Sequence, residues 1–291
     1  MSRLYDIDAL LDEVITLPSL PSTVAHIMRL VSDPQCSLSS VAHAISADPP
    51  LAIKTLRLVN AAYYGLRQKV STIEHAVVLL GIKVIKNLAF TATVFDIMKG
   101  SVDAFFRHSI AVGLAMRTLV EAGCGKTAIQ SPEEAFVCGL LHDIGKVFMN
   151  EFLPKESAKV AQVCAKTDMP WYFAEREIMG VDHAQIGARL AQKWKLPDIL
   201  TCAVAGHHDL KQCKDSDARQ AAALVAVADF ICCSCGIRAH AGGATPVPED
   251  TWTASQLSSE VVPAVMGGFV QALPSVNELM SLAPDPPAAV R

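Results

Sequence analysis

The sequence lacks the features that direct a chain into or across a membrane. No apolar stretch reaches the roughly 18 residues of a transmembrane helix without a charged or polar break. The first residues, MSRLYDIDALLDEV, do not follow the pattern of a secretory signal peptide. We therefore expect a soluble protein of the cytoplasm that has no membrane partner.

Charged residues are few, and neither sign dominates. They make up 19% of the chain, and the formal net charge is −4. Proteins that bind DNA or RNA neutralise phosphates with a basic surface, which this composition does not predict. A DNA-binding regulator stays a weaker alternative, because the short helices predicted over residues 37–60 resemble a helix-turn-helix in spacing. We expect no nucleic-acid partner.

The cysteines do not follow the spacing of a zinc site or of a disulfide framework. They number nine, and most lie apart from one another in apolar helical segments. This pattern is typical of reduced, buried thiols in a cytosolic protein. Cys232, Cys233 and Cys235 form the one tight cluster, and no second pair stands at a spacing suitable for zinc. We interpret these three as structural thiols on a helix.

A strand pattern is also missing from the sequence. Apolar residues, which are 51% of the 291, recur at helical spacing instead of alternating. The pattern predicts an all-α protein with a helical lobe over residues 1–100 and a second helical unit over 101–238. Residues 239–291 are predicted to form a loop, C-terminal helices and a proline-rich tail. Gly81 is expected to separate two helices.

The most informative stretch runs from Ser131 to Phe152, SPEEAFVCGLLHDIGKVFMNEF. Ser131 is a predicted N-cap, and the apolar spacing that follows predicts one helix with a buried face. His142 and Asp143 lie side by side within that helix. Burying an aspartate is costly unless a partner compensates its charge, and a metal ion is the strongest partner available. The sequence therefore predicts a metal site here.

Other predicted helices supply the remaining ligands that a metal shell needs. The additional candidates are His108, His183, His207, His208 and Asp229. Imidazole and carboxylate ligands suit one or two divalent ions of iron, manganese, zinc or nickel. We expect a first ion at His108, His142, Asp143 and Asp229, and a second at His183, His207 and His208. Asp143 would then bridge the two.

Two such ions, about 3.5–4 Å apart, can activate a water and hold a phosphodiester for in-line attack. If the protein is active, Lys146 would hold a phosphate oxygen and Asp143 would act with the metal. An alternative stays open, in which His142 and Asp143 are a hydrogen-bonded pair and the other histidines are unrelated. His26, His43 and His75 are predicted on helix surfaces, and His240 is expected to be exposed in a loop.

The motif LLHDIGK, with His108 upstream and Asp229 downstream, resembles the HD superfamily of metal-dependent phosphohydrolases. A finer resemblance is to the HDOD domain, through ISADPPLAIKTLRLVNAAYYG, STIEHAVVLLGIKVIKNLA and VDHAQIGARLAQKWKLPDILTCAVAGHH. It spans roughly residues 15–235. The resemblance implies a multi-helical HD-like domain preceded by an N-terminal helical lobe. It also implies an output module of bacterial signalling, related to the HD-GYP phosphodiesterases.

Two departures from the related families shape the functional expectation. HD-GYP enzymes carry a Gly-Tyr-Pro motif after the paired histidines, whereas here HHDLKQCKDSDARQ contains Asp209 and no such motif. Many HDOD proteins have lost part of the HD ligand set, which this chain keeps. We expect a regulatory module that binds a signalling protein or a nucleotide second messenger and retains a metal. The alternative is an active metal-dependent phosphohydrolase that acts on a nucleotide or cyclic dinucleotide.

Overall fold

The computed structural model describes residues 22–33, 35–61, 66, 68–98, 103–124, 129, 131–258 and 260–282. All regular secondary structure in these ranges is helical, which confirms the all-α class. Across the same ranges, no helix combines the length and the apolar character needed to cross a bilayer. The predicted proline-rich tail lies outside the described residues.

The chain divides into two compact units, of which the first is formed by residues 22–98 and 272–282. Its first five helices are α1 (Ser22–Ser32), α2 (Leu38–Ser46), α3 (Pro49–Val59), α4 (Ile73–Leu80) and α5 (Ile82–Ile97). Polar side chains cap several of them, as where Ser37 Oγ accepts a hydrogen bond from the Ser40 amide. Gly81, at φ +83°, separates α4 from α5 as predicted.

The second unit is formed by residues 103–271. Its helices are α6 (Asp103–Glu121), α7 (Pro132–Leu141), α8 (Ile144–Phe152), α9 (Pro154–Thr167), α10 (Trp171–Met179), α11 (His183–Lys193), α12 (Asp198–Gly206), α13 (Ser216–Ser234), α14 (Glu249–Ser255) and α15 (Val262–Ala272). The last helix, α16 (Pro274–Leu282), belongs to the first unit, where it packs against α3. The division of the chain into residues 1–100, 101–238 and 239–291, expected from the sequence, stays a prediction.

The central stretch differs from its prediction, because two helices replace the single one expected. Ser131 caps α7 as predicted, its Oγ accepting a hydrogen bond from the Glu134 amide. The helix then ends at Leu141, and α8 begins at Ile144. Asp143 has φ −99° and ψ 11°, outside the helical range. The apolar pattern could not reveal this break, since it continues on both sides.

A close approach between α8 and α11 explains why the chain turns at this point. A Cβ atom at Gly145 would overlap the carbonyl oxygen of His183 and would lie 2.9 Å from the Gly187 amide nitrogen. Only a residue without a side chain allows the backbones to pack so tightly. The approach brings the start of α8, with Asp143 before it, against the start of α11, with His183.

The helix α13 forms the centre of the second unit. Most of its residues are buried, including Ala221, Leu224, Val225 and Ala228, because it packs against α6, α7, α12 and α14. A helix buried nearly all round was predicted here from its alanine- and valine-rich sequence. This packing places Asp229 in the interior, where a carboxylate needs partners.

Candidate metal centre

All seven predicted ligands lie in one cluster inside the second unit. His108 comes from α6, His142 and Asp143 from the α7–α8 break, His183 from the start of α11, His207 and His208 from the end of α12, and Asp229 from α13. All are buried except His208, which is half-buried. Helix ends and the α7–α8 break thus supply five of these side chains, and only His108 and Asp229 lie in the middle of helices.

Asp143 occupies the middle of the cluster, with different neighbours on its two oxygens. Its Oδ2 atom lies 3.3 Å from Nε2 of His142 and 3.8 Å from Nε2 of His108. Its Oδ1 atom lies 3.0 Å from Nε2 of His183 and 3.8 Å from Nε2 of His207. A carboxylate that faces one histidine group with each oxygen has the disposition of a bridging ligand.

Backbone carbonyls fix the orientation of three of the imidazoles. The Nδ1 atom of His108 lies 2.9 Å from the Ile237 carbonyl, that of His142 lies 2.7 Å from Gly139, and that of His207 lies 2.7 Å from Val204. A carbonyl oxygen can only accept, so each Nδ1 carries a proton, and the Nε2 atom of each imidazole presents a lone pair when the ring is neutral. All three Nε2 atoms face Asp143, as metal ligands would.

The fourth imidazole is oriented by a residue that the sequence analysis missed. Glu175, fully buried on α10, accepts hydrogen bonds from Nδ1 of His183 at 2.6 Å and from its amide at 2.9 Å. A carboxylate behind a histidine is the usual support of a metal-binding imidazole. The available signal was a glutamate in the otherwise apolar first half of WYFAEREIM.

The cluster keeps its carboxylates charged and part of its imidazoles neutral. Burial opposes the charge of Asp143, but His142, Lys146 and His183 hold the pKa of this carboxyl well below its usual range. Burial also disfavours charge on His183, yet Glu175 and Asp143 raise its pKa to about 9. Burial and the neighbouring His142 and His183 lower the pKa of His207 to about 3. Neutral imidazoles beside ionised carboxylates are what a cation binds.

An unpaired atom also fits a metal ion. Nε2 of His142 is buried and has no hydrogen-bond partner among the described residues, although Asp143 Oδ2 lies 3.3 Å away. Two acceptors held this close repel each other unless a cation lies between them. Three groups in the cluster have ligand atoms within 4.8 Å of one another: His183, His207 and His208; His108, His142 and Asp143; and His108, Asp229 and Cys233. The cluster can therefore bind a metal.

Lys146 lies at the edge of the cluster and forms an ion pair with Asp143. Its Nζ donates a hydrogen bond to Asp143 Oδ2 at 2.7 Å, and the two residues are three positions apart in the chain. Burial lowers the pKa of Lys146, but the charges of Asp143 and Glu175, together with the hydrogen bond to Asp143, outweigh burial and raise it. The lysine therefore stays protonated and supplies one positive charge to the centre.

A small pocket opens beside the cluster, within the second unit. It reaches Lys146, His208 and Asp229 and is bordered by Trp171 and by the loop over residues 238–245. His240 in this loop is half-buried and stacks on Trp171 with 4.0 Å between ring centroids, so its predicted exposure is wrong. The Trp171 indole also donates to the Ala241 carbonyl at 2.6 Å, which explains why the loop folds back.

The sequence model of the HDOD domain matches residues 17–210 of this chain. The chain belongs to the HDOD domain family. This match confirms the resemblance described above, and the HD-like all-α fold agrees with it. Asp229 and Cys233 lie beyond the matched residues, so their place in the site rests on the structure.

Two solved structures are similar to this HDOD protein over almost all of both chains. An HDOD domain protein with unknown function from Geobacter sulfurreducens is 26% identical, with a TM-score of 0.78, and the match covers 94% of this chain and 96% of the other. A candidate phosphohydrolase from Shewanella amazonensis SB2B is also 26% identical, with a TM-score of 0.70, and the coverage is 95% and 98%.

A curated relative is longer than this HDOD chain. It is an uncharacterized protein from Treponema pallidum (strain Nichols), 30% identical over 207 residues. The matched region is 68% of this chain but 39% of that protein. The relative therefore has a large part that this chain does not match.

Proposed function

We propose that this HDOD protein is a metal-binding regulatory module of bacterial signal transduction, which acts by binding a partner and not by turnover. The observation that carries the proposal is the set of imidazole Nε2 atoms that converge on Asp143, with that of His142 left unpaired. Family membership supports the output role. The proposed partner is a signalling protein or a nucleotide second messenger in the cytoplasm.

A divalent ion held by these ligands would supply Lewis-acid chemistry, polarising a phosphate oxygen or lowering the pKa of a water. The chain's own groups would position that ion. Asp143 faces both histidine groups, and Glu175 and the three backbone carbonyls keep the Nε2 lone pairs directed inward. Burial excludes competing water, which strengthens each of these interactions.

The surroundings of the cluster favour binding over turnover of a cyclic dinucleotide. The adjoining pocket has a volume of about 50 Å³, which holds a few waters, so most of a cyclic dinucleotide would lie outside it. Tyr172, which could otherwise stack on a base, has its ring 4.3 Å from that of His208 and nearly parallel to it. Lys146 is already bound to Asp143. Rate depends on holding the phosphodiester in line, and little here is free to do so.

Metal analysis combined with a hydrolysis assay tests the proposal. Protein purified without added metal should contain a divalent ion, and Asp143→Asn should lose it. The metal-loaded wild type should leave a cyclic dinucleotide intact. Linearisation at an ordinary enzymatic rate, abolished by Asp143→Asn, would overturn the binding role. A metal content that is equally low in both proteins would overturn the metal site.

A metal-dependent phosphohydrolase is the second candidate function. It is favoured by the position of Lys146 and Arg238 at the pocket, where two cations could meet a phosphate. The Shewanella amazonensis structure is also named as a candidate phosphohydrolase. If this function holds, Lys146→Ala should abolish release of phosphate from a nucleotide panel. The exposed Lys155→Ala should retain it.

A further inference from the structure

The C-terminal turn of α13 carries a thiol beside the metal centre. Cys233 follows Asp229 by four residues, so the two side chains share one face of the helix. Both line the pocket next to the cluster, together with His108. The neighbouring cysteines do not: Cys232 is fully buried and Cys235 is exposed. Of the three neighbouring thiols, only that of Cys233 lines the pocket beside the metal centre.

The distances among these three side chains are those of ligands around a common ion. Cys233 Sγ lies 3.3 Å from Asp229 Oδ1, and His108 Nε2 lies 3.2 Å from the same oxygen. Ligand atoms bound tetrahedrally to Zn²⁺ at the usual bond lengths are about 3.4–3.6 Å apart. All three ligand atoms lie within 4.8 Å of one another. Small side-chain adjustments would therefore admit an ion.

The end of α13 also orients His108 toward this position. Gly236, at φ +81°, reverses the chain after the helix, and its amide donates to the Cys233 carbonyl at 3.1 Å. The reversal presents the Ile237 carbonyl to Nδ1 of His108, which leaves Nε2 to face Asp229 and Cys233. The turn at Gly236 thus places the Ile237 carbonyl where it directs His108 toward Asp229 and Cys233.

An independent observation points to an ion on this side of the centre. His142 is 1% exposed, and its Nε2 atom has no hydrogen-bond partner among the described residues. That atom faces Asp143 Oδ2, which is 3.8 Å from His108 Nε2. A cation bound beside His108 would compensate this buried lone pair and the anion that it faces.

We propose that Cys233 is a thiolate ligand of a Zn²⁺ ion that also binds His108 and Asp229. The inference deepens the proposed metal-binding function and rests on it. On binding, the Cys233 thiol loses its proton to the solvent, and the sulfur bonds to the ion. A thiolate selects a soft or borderline ion, so the site prefers zinc to manganese. Without the ion, the Cys233 thiol donates a hydrogen bond to Asp229 Oδ1.

Cobalt substitution tests the thiolate directly, without any activity measurement. Co²⁺ added to the metal-free protein gives visible d–d bands at a tetrahedral site. A thiolate ligand adds an intense charge-transfer band in the near ultraviolet. We expect that band in the wild type and in Cys235→Ser, which changes the exposed thiol of the same helix end. Cys233→Ser should lose the band and keep its far-ultraviolet circular dichroism.

The outcomes separate this inference from the function on which it rests. Visible cobalt bands without the charge-transfer band in the wild type would overturn the Cys233 ligand and leave the metal centre standing. A charge-transfer band that persists in Cys233→Ser would also overturn the Cys233 ligand. Absence of all cobalt bands would overturn both proposals. If Cys233→Ser fails to fold, Cys233→Ala is measured in its place against Cys235→Ala.

Competition between two ions provides a second readout. The wild type should bind Zn²⁺ more tightly than Mn²⁺, and Cys233→Ser should narrow that ratio by tenfold or more, because only the softer ion gains from the sulfur. Cys235→Ser should leave the ratio unchanged. An identical ratio in the wild type and in Cys233→Ser would contradict the inference.

Discussion

Each unit contains an ion pair between a lysine and an aspartate, and the pair is exposed to solvent in one unit and buried in the other. Lys54 and Asp96 in the first unit have side chains that are 30% and 41% exposed. Lys146 and Asp143 in the second unit are 11% and 2% exposed. Water screens the first pair, which contributes little to stability. The second pair is held in a low-dielectric interior, where each charge depends on its partners.

The buried polar residues of the two units differ in the same way. Among the described residues of the first unit, they are the uncharged Thr55, Asn87, Thr91 and Thr93. The second unit buries ionisable side chains from most of its helices and from the α7–α8 break, and most of them surround Asp143. Burying charge is costly unless a function or a partner compensates it, so the comparison favours the second unit as the place of the proposed function.

Neutralising the aspartate of each pair should give the largest difference between the two units. Asp143→Asn leaves Lys146 and the histidines without their central anion, so we expect the loss of bound metal and about 3–5 kcal/mol of stability. Asp96→Asn should cost less than about 1 kcal/mol and leave the metal content unchanged. Metal analysis and urea unfolding of both variants provide the measurement. Equal losses in the two variants would contradict the comparison.

Two glycines provide the next contrast, because a Cβ atom would meet close neighbours at one of them and empty space at the other. Gly145→Ala forces α8 away from the His183 carbonyl, so we expect a loss of about 1–3 kcal/mol and weaker metal binding. At Gly267, within α15, a Cβ meets no described atom within 4 Å. Gly267→Ala should gain roughly 0.5–1 kcal/mol through its helix propensity. Thermal unfolding of both variants with and without metal measures the difference.

Glu175→Gln should weaken metal binding roughly 10- to 100-fold, since the carboxylate that supports His183 becomes neutral. Glu177→Gln, at an exposed position of the same helix, should have no effect. Calorimetric titration with Zn²⁺ measures both. An unchanged affinity in Glu175→Gln would show that the hydrogen bond is only structural.

The same carboxylate should govern how the stability of the metal-free protein depends on pH. The pKa of His183 is raised from 6.5 to about 9, so the folded state keeps a proton that the unfolded state loses. The resulting stabilisation is complete below pH 6.5 and declines as the pH rises through 9, by at most about 1.4 kcal/mol per pH unit. Glu175→Gln should flatten this decline. Urea unfolding across the range, without metal, measures it.

A small effect is expected at a buried polar atom of the first unit. Thr55 Oγ1 has no hydrogen-bond partner among the described residues, and the side chain is fully buried. Thr55→Val keeps the shape and removes the unpaired hydroxyl, so we expect a gain of about 1 kcal/mol. Urea unfolding measures it, with no change in metal content. A loss of stability would indicate that this hydroxyl is satisfied in solution.

The sequence by itself determined the helical class, because apolar residues at a period of 3.6 can bury a face only as helices. It also determined the candidate ligands, since a histidine and an aspartate adjacent in an apolar stretch require compensation. Local signals such as Ser131 and Gly81 located helix ends, because capping and positive φ depend on nearby atoms alone. Family motifs added the HD-like assignment.

The tertiary structure alone decided how those residues meet. The break between α7 and α8 depends on the contact of Gly145 with His183, 38 residues along the chain, which no local pattern contains. Glu175 and Cys233 join the centre for the same reason, through the packing of α10 and the end of α13. Ligand geometry arises from contacts distant in sequence, and residue type and spacing carry no information about those distances.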